Sequence, residues 1–191
     1  MIPLMDAALD RARAIGPRDH VAAGLARYLE RHIPEEIHSE EPGGAVVDDL
    51  AALGLVPAAV RTLPTTPQIR ALVSAQLTWM RCEHPVSILG FLELEAHQAS
   101  RVVIERLIEA TGLPRAGFGQ LLLHAKLDVV HARDLHHVLD TLPLSRRQEE
   151  LIARSAVYTM ALVTDALLDV LLGRSSTGPE KLSAGRGPGP L

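Results

Sequence analysis

Residues 121–135 read LLLHAKLDVVHARDL. At a rotation of about 100° per residue with His124 at zero, Asp128 falls near roughly +40° and His131 near roughly −20°. All three side chains therefore leave one side of a helix. Leu121, Leu127, Leu135, Val138 and Leu142 lie on or beside that side, while Lys126, Arg133, His136 and His137 point away from it. Two imidazoles and a carboxylate thus stand on the stripe that should be buried. Burying such groups without compensation is costly. A metal ion satisfies all three at once, and mixed imidazole and carboxylate donors suit iron, manganese or zinc. The plainer alternative is a buried Asp–His hydrogen-bond network tying two helices together.

No useful length of the chain on either side of this stretch alternates with period two, and the long segments repeat at helical spacing. Helices are expected at 4–15, 18–41, 45–53, 67–82, 86–111, 115–141 and 145–173. The punctuation agrees. Gly16-Pro17 separates the first pair, and Pro42-Gly43-Gly44 ends the second helix. Thr66 before Pro67 is an N-cap with proline at the first helical position. Gly112-Leu113-Pro114 is a stop and a restart, and Ser145 with Gln148 forms a capping box. Residues 174–191 are rich in Gly, Pro and Ser and are expected to be a disordered tail. The expected fold is one all-α domain over 1–173, a bundle of seven helices with the triad helix at its centre.

The 191 residues are 47% hydrophobic but only 3% aromatic, so the core must be built from Leu, Val, Ala and Ile. A net charge of −4, with no basic run interleaved with aromatics, argues against nucleic acid as a partner. Cys82 is the only cysteine, which excludes an internal disulfide and makes a reducing cytoplasm the expected setting. The N-terminal stretch is interrupted by acids and lacks the apolar core of a signal peptide. The most apolar segment, 156–172, carries Asp165 and Asp169, so it is expected to be a buried core helix and not a membrane span. The helix at 145–173 is apolar almost all round and leaves room for a homodimer interface.

Two further stretches offer ligands. In the expected helix 86–111, Glu95 shares its side with Ile88, Phe91, Leu92, Ala99, Val102 and Val103, whereas Glu93 lies nearly opposite, beside His97. Glu95 is the acid expected at the site, with a buried salt bridge to Arg70 or Arg154 as the structural alternative. In 31–41, Leu25, Leu29 and Ile33 define the apolar side, bordered by His32 and Glu36; Glu35 and His38 are i, i+3 neighbours on another side. Pro34 weakens a straight-helix projection there, and the projection does not separate Glu35 from Glu36. His136 and His137 are expected to be exposed, and His20 and His84 carry no signal. Tyr158 shares a face with Asp165 and could reach the pocket, but a core tyrosine with one hydrogen bond is the simpler role. A helical bundle carrying two carboxylate–histidine sets is a known way to build a dimetal site.

Three stretches together resemble the haem-oxygenase-like dimetal oxidases, also described as iron-containing redox enzymes. They are HIPEEIHSEEPGGAVVDDLAALGL (32–55), PTTPQIRALVSAQLTWMRCEHPVSILGFLELE (64–95) and the H-x-x-x-D-x-x-H of 121–135. The last is the more specific. The resemblance covers roughly residues 20–170. It implies a haem-oxygenase-like bundle of seven helices that binds two Fe(II) ions, or manganese, in place of haem. It also implies dioxygen as co-substrate and oxidation of a small molecule, often in secondary metabolism. Carried over by position, the ligands are Glu95, His124, Asp128 and His131, with His38 and one of Glu35 and Glu36; the set is written here with Glu36. Two departures stand out. The family's further upstream glutamate has no match beyond Asp6 and Asp10, so the site is incomplete at one position or the true start lies upstream of Met1. The Pro-Gly-Gly after His38 also breaks a usually continuous helix. The competing readings are a metal-free, thiaminase-like member and a non-catalytic partner protein with a decayed site. Haem is disfavoured, because acids would line its pocket. The mostly Leu, Val and Ala lining favours an apolar portion of the substrate.

Overall fold

The computed structural model describes residues 1–39, 45–96 and 99–172, and the side chains of residues 37–39, 45 and 95 fall outside that description. The expected tail at 174–191 also lies outside it. Among the described residues every regular element is helical. In order they are α1 (Ile2–Ile15), α2 (His20–Ser39), α3 (Ala45–Ala52), α4 (Pro57–Arg61), α5 (Pro67–Cys82), α6 (Ile88–Glu95), α7 (Arg101–Thr111), α8 (Gly119–Thr141) and α9 (Arg146–Leu171). Short 3-10 turns occupy Gly16–Arg18, Pro85–Ser87 and Arg115–Phe118.

Local chemistry sets most of the boundaries. The Thr66 side chain accepts the backbone N–H of Ile69 at 3.3 Å and starts α5. Ser145 and Gln148 form the reciprocal capping box of α9. Gly112 closes α7 in the left-handed conformation, with φ 63°. Asp19 accepts the backbone N–H of Ala22 at 2.9 Å at the start of α2, and its other oxygen meets His84 Nε2 at 3.1 Å. His84 Nδ1 accepts the N–H of Val86, so Nε2 carries the ring proton and donates to Asp19. A histidine without signal in the sequence thus ties the end of α5 to the start of α2.

The core is aliphatic, as the composition requires. Met5, Ala8 and Ala12 of α1, Leu25 and Leu29 of α2, Met80 of α5, Ile88 and Leu89 of α6, and Leu135 of α8 are all buried. A neutral polar cluster interrupts it between α5 and α9. Gln76 donates to Ser155 Oγ at 2.8 Å and to Thr159 Oγ1 at 3.2 Å, all three being fully buried between α5 and α9.

Three expectations are corrected. The helix expected over 86–111 is two helices. Its second half starts at Ser100, whose extended backbone (ψ 153°) occupies the N-cap position of α7. With the helix broken, Val102 and Val103 do not continue the buried face of α6; they are 61% and 53% exposed. The short α4, opened by Pro57, escapes a reading based on periodicity because five residues span little more than one turn. Finally, α9 is not a buried core helix over its C-terminal half: Leu167, Leu168, Val170 and Leu171 are exposed. By length and composition alone α9 could cross a membrane, and 17% of its most apolar window is buried inside the fold.

Candidate metal centre

The stripe read from 121–135 is buried. The buried residues of α8 are His124, Asp128, His131, Leu135 and Val138, spaced i, i+4, i+7, i+11, i+14. The first three are the ionisable ones, so the N-terminal half of the buried stripe is polar and the C-terminal half apolar. Asp49 of α3 holds the start of this helix. Its Oδ2 accepts the backbone N–H of Gln120 at 2.8 Å, supplying the cap that α8's own N-cap residue lacks. Asp49 lies in the VVDDL segment and was not singled out from the sequence.

Facing this stripe, α2 presents His32 and Glu36, one turn apart and both buried. Glu36 Oε1 lies 3.2 Å from His131 Nδ1 and 3.4 Å from His32 Nε2. Glu35 Oε2 lies 4.0 Å from His131 Nε2 and 3.8 Å from His32 Nδ1. Each imidazole thus puts one nitrogen toward Glu36 and the other toward Glu35. The Glu36 side chain is 4% exposed and that of Glu35 56%, so Glu36 is interior and Glu35 sits at the rim. On α8, His124 Nδ1 lies 3.3 Å from Asp128 Oδ1. The His32 ring stacks on Tyr28 (centroids 5.1 Å apart) and meets His131 edge-on (4.7 Å).

These contacts set the charge states. The Glu36 carboxylate beside it holds the His131 imidazole above its ordinary range, against the opposing effect of burial. Burial pushes the Glu36 carboxyl up, but the contact with His131 and the charges of His131, His32 and His124 outweigh it and leave Glu36 below its usual range. Burial is the main cause that lowers His32, only partly countered by Glu36. Burial and then the charges of Glu36, Asp134 and Glu35 push the Tyr28 hydroxyl up, so it stays a neutral phenol.

His32, Glu36, His124, Asp128 and His131 line one cavity with Tyr28, and Met1, Leu92 of α6, Ala96 just after it and Leu135 of α8 complete its wall. Its volume is ≈ 20 Å³, room for a water or an ion but not for an organic molecule. A second cleft of ≈ 320 Å³ shares Tyr28 and His32 and adds Arg31, Glu35, Asp134 and His137. The apolar lining expected for a substrate pocket is not what surrounds this cleft. Leu25, Leu29, Leu135 and Val138 of α2 and α8 pack inward, and the cleft is lined by polar residues of the same two helices.

Of the residues expected at the site, Glu36, His124, Asp128 and His131 come together. The side chains of His38 and Glu95 lie outside the described residues. Glu93 is not on a plain solvent face; it meets His136 Nε2 at 3.0 Å. Arg154 pairs with Glu83 and lies over Trp79, and Arg70 donates to the Thr65 carbonyl. Tyr158 is 39% exposed and packs edge-on against Trp79, so it neither reaches the cavity nor joins the core. Asp6 and Asp10 are exposed on α1. His32 was not put forward as a ligand; in the sequence it only borders, with Glu36, the apolar side of α2.

The donor set fits iron. Imidazole nitrogens and carboxylate oxygens are its ordinary protein ligands. Asp128 Oδ2 is buried and has no hydrogen-bond partner among the described residues, an arrangement that a bound cation relieves. His32, Glu35 and His131 each offer one ligand atom within 4.8 Å of the others.

No curated protein and no solved structure matches the chain significantly. A family model described as iron-containing redox enzyme matches residues 21–163, a span that takes in both polar helices and most of α9. The all-helical architecture agrees with the haem-oxygenase-like fold. With most of its length matched, and with a buried histidine–carboxylate cluster inside the matched span, the chain belongs to the family of iron-containing redox enzymes.

Proposed function

We propose that this protein is a non-haem iron oxidase or oxygenase that uses dioxygen to oxidise a small molecule at a carboxylate–histidine centre built for two ferrous ions. The observation that carries this reading is the burial of Glu36, His124, Asp128 and His131 around one ion-sized cavity. These four would hold the metal, with His38 and Glu95 as the further expected ligands. Bound iron supplies the electron transfer and dioxygen reduction that no side chain here performs.

The chain's own residues do the rest. Leu92 and Leu135 supply apolar parts of the cavity wall. Tyr28, a neutral phenol between cavity and cleft, keeps a proton at its Oη at the junction. Arg31 on one side of the cleft and Asp134 on the other offer opposite charges to a polar substrate portion. The cleft has the size of a small-molecule site. Haem does not fit an ion-sized cavity crowded with acids. A thiol-dependent, metal-free reaction finds no support either, since Cys82 is exposed at the end of α5 and lines neither space.

The test is anaerobic Fe(II) titration followed by rapid mixing with oxygenated buffer. The expected result is close to two irons bound per chain and an absorbance transient tied to oxygen consumption, both lost in Asp128→Ala. Oxygen consumption equal to that of free Fe(II), with Asp128→Ala indistinguishable from wild type, would reduce the cluster to a structural polar network.

A further inference from the structure

We propose that His32 is itself a metal ligand, closing a second cation position with Glu35 and His131. The proposal rests on the metal-centre reading above and adds a donor absent from the set expected by resemblance. The evidence is geometric. His32 is 5% exposed, one turn before Glu36, with its ring clamped face-on by Tyr28 and edge-on by His131. That clamp fixes the ring plane, as ligating imidazoles require.

The surroundings of the two imidazoles are also unusual. His32 and His131 alternate with Glu35 and Glu36 in a closed ring of nitrogen and oxygen donors, with successive contacts of 3.2, 3.4, 3.8 and 4.0 Å. The two contacts to Glu36 are short enough for direct pairing. The two to Glu35 are too long for hydrogen bonds. They fall under the limit of about 4.2 Å for donors on opposite sides of an ion about 2.1 Å from each, and a small contraction brings them to the closer spacing of neighbouring ligands. The ligand atoms of His32, Glu35 and His131 lie within 4.8 Å of one another, so the site closes when the half-exposed Glu35 and the His131 ring both draw toward His32. Because His32 and Glu35 also line the ≈ 320 Å³ cleft, this cation is the one that faces the substrate side. Glu36 and His131 connect it to the interior pair His124–Asp128.

The competing role for His32 is an outer partner that only orients Glu36. Affinity does not separate the two roles, because loss of an outer partner also weakens metal binding by about 10- to 100-fold. Counting ligated imidazoles does separate them. In Co(II)-loaded protein, each metal-bound histidine gives hyperfine-shifted ring proton resonances in the NMR spectrum. His32→Gln is expected to remove one imidazole set and to leave the sets of His124 and His131. His32→Asn serves the same purpose if the glutamine variant does not fold, as judged by circular dichroism. An unchanged number of shifted imidazoles in a folded His32 variant, with one set lost in His124→Gln, overturns this proposal while the metal centre stands. Wild-type protein without any shifted imidazole overturns both.

Discussion

Two carboxylates illustrate how single residues act in this molecule. Asp19 caps a helix and accepts a histidine proton; Asp128 is buried, with one oxygen lacking a hydrogen-bond partner among the described residues. For Asp19, partial burial raises the carboxyl, but the Ala22 N–H and the His84 contact outweigh it and hold it below its ordinary range. A group lowered by folding stabilises the native state above its unfolded value and loses that contribution as pH falls. Asp19→Ala is therefore expected to cost about 1 kcal/mol near neutral pH. The difference from wild type should shrink as pH drops through the carboxylate range, which urea denaturation at several pH values would show. Asp128 was legible in the sequence because i, i+4, i+7 on an apolar stripe is a pattern that chance and solvation explain poorly. His32 was not legible. Its partners Tyr28 and His131 come from one turn earlier and from another helix, and its border position depends on how α2 passes Pro34.

At the scale of elements, α6 and α9 cross where Gly90 removes a side chain. A Cβ there would collide with the Ile152 carbonyl and stand 2.8 Å from the Ala156 nitrogen and 2.9 Å from Ser155 Cβ. Since these are mostly backbone atoms of a packed helix, Gly90→Ala must push the helices apart. A loss of about 1–3 kcal/mol is expected, read as a lowered midpoint in chemical denaturation. Leu92 on the same helix and Ala96 just after it wall the cavity, so metal affinity should fall as well. The capping of α8 by Asp49 gives a second expectation at this scale. Asp49→Ala should lower stability by about 1 kcal/mol and weaken metal binding without removing a ligand, as metal titration of the folded variant would show. Helix identity was readable from periodicity and caps, since both are local. The break between α6 and α7 was not, because apolar residues continue past it in the sequence and only Ser100 marks it.

For the whole molecule, buried charge and metal binding are linked. The apoprotein buries imidazoles and carboxylates between α2 and α8, whereas the loaded protein neutralises them. Iron should therefore raise the unfolding temperature. At a free metal concentration of 100 times Kd the gain is about 2.7 kcal/mol, and chelation should return the scan to the apo value. The all-helical class followed from periodicity and the aliphatic core from composition. The exposure of the C-terminal half of α9 did not, since its apolar sequence resembles that of a core helix and only the arrangement of the described neighbours shows it exposed.

The central claim is that the His–carboxylate stripe of α8 holds iron. It is tested most directly by the iron content of wild-type and Asp128→Ala protein after anaerobic loading and desalting. Iron is expected to be retained by the wild type at close to two per chain and mostly lost from the folded variant. Equal retention by both, or none by the wild type, would contradict it.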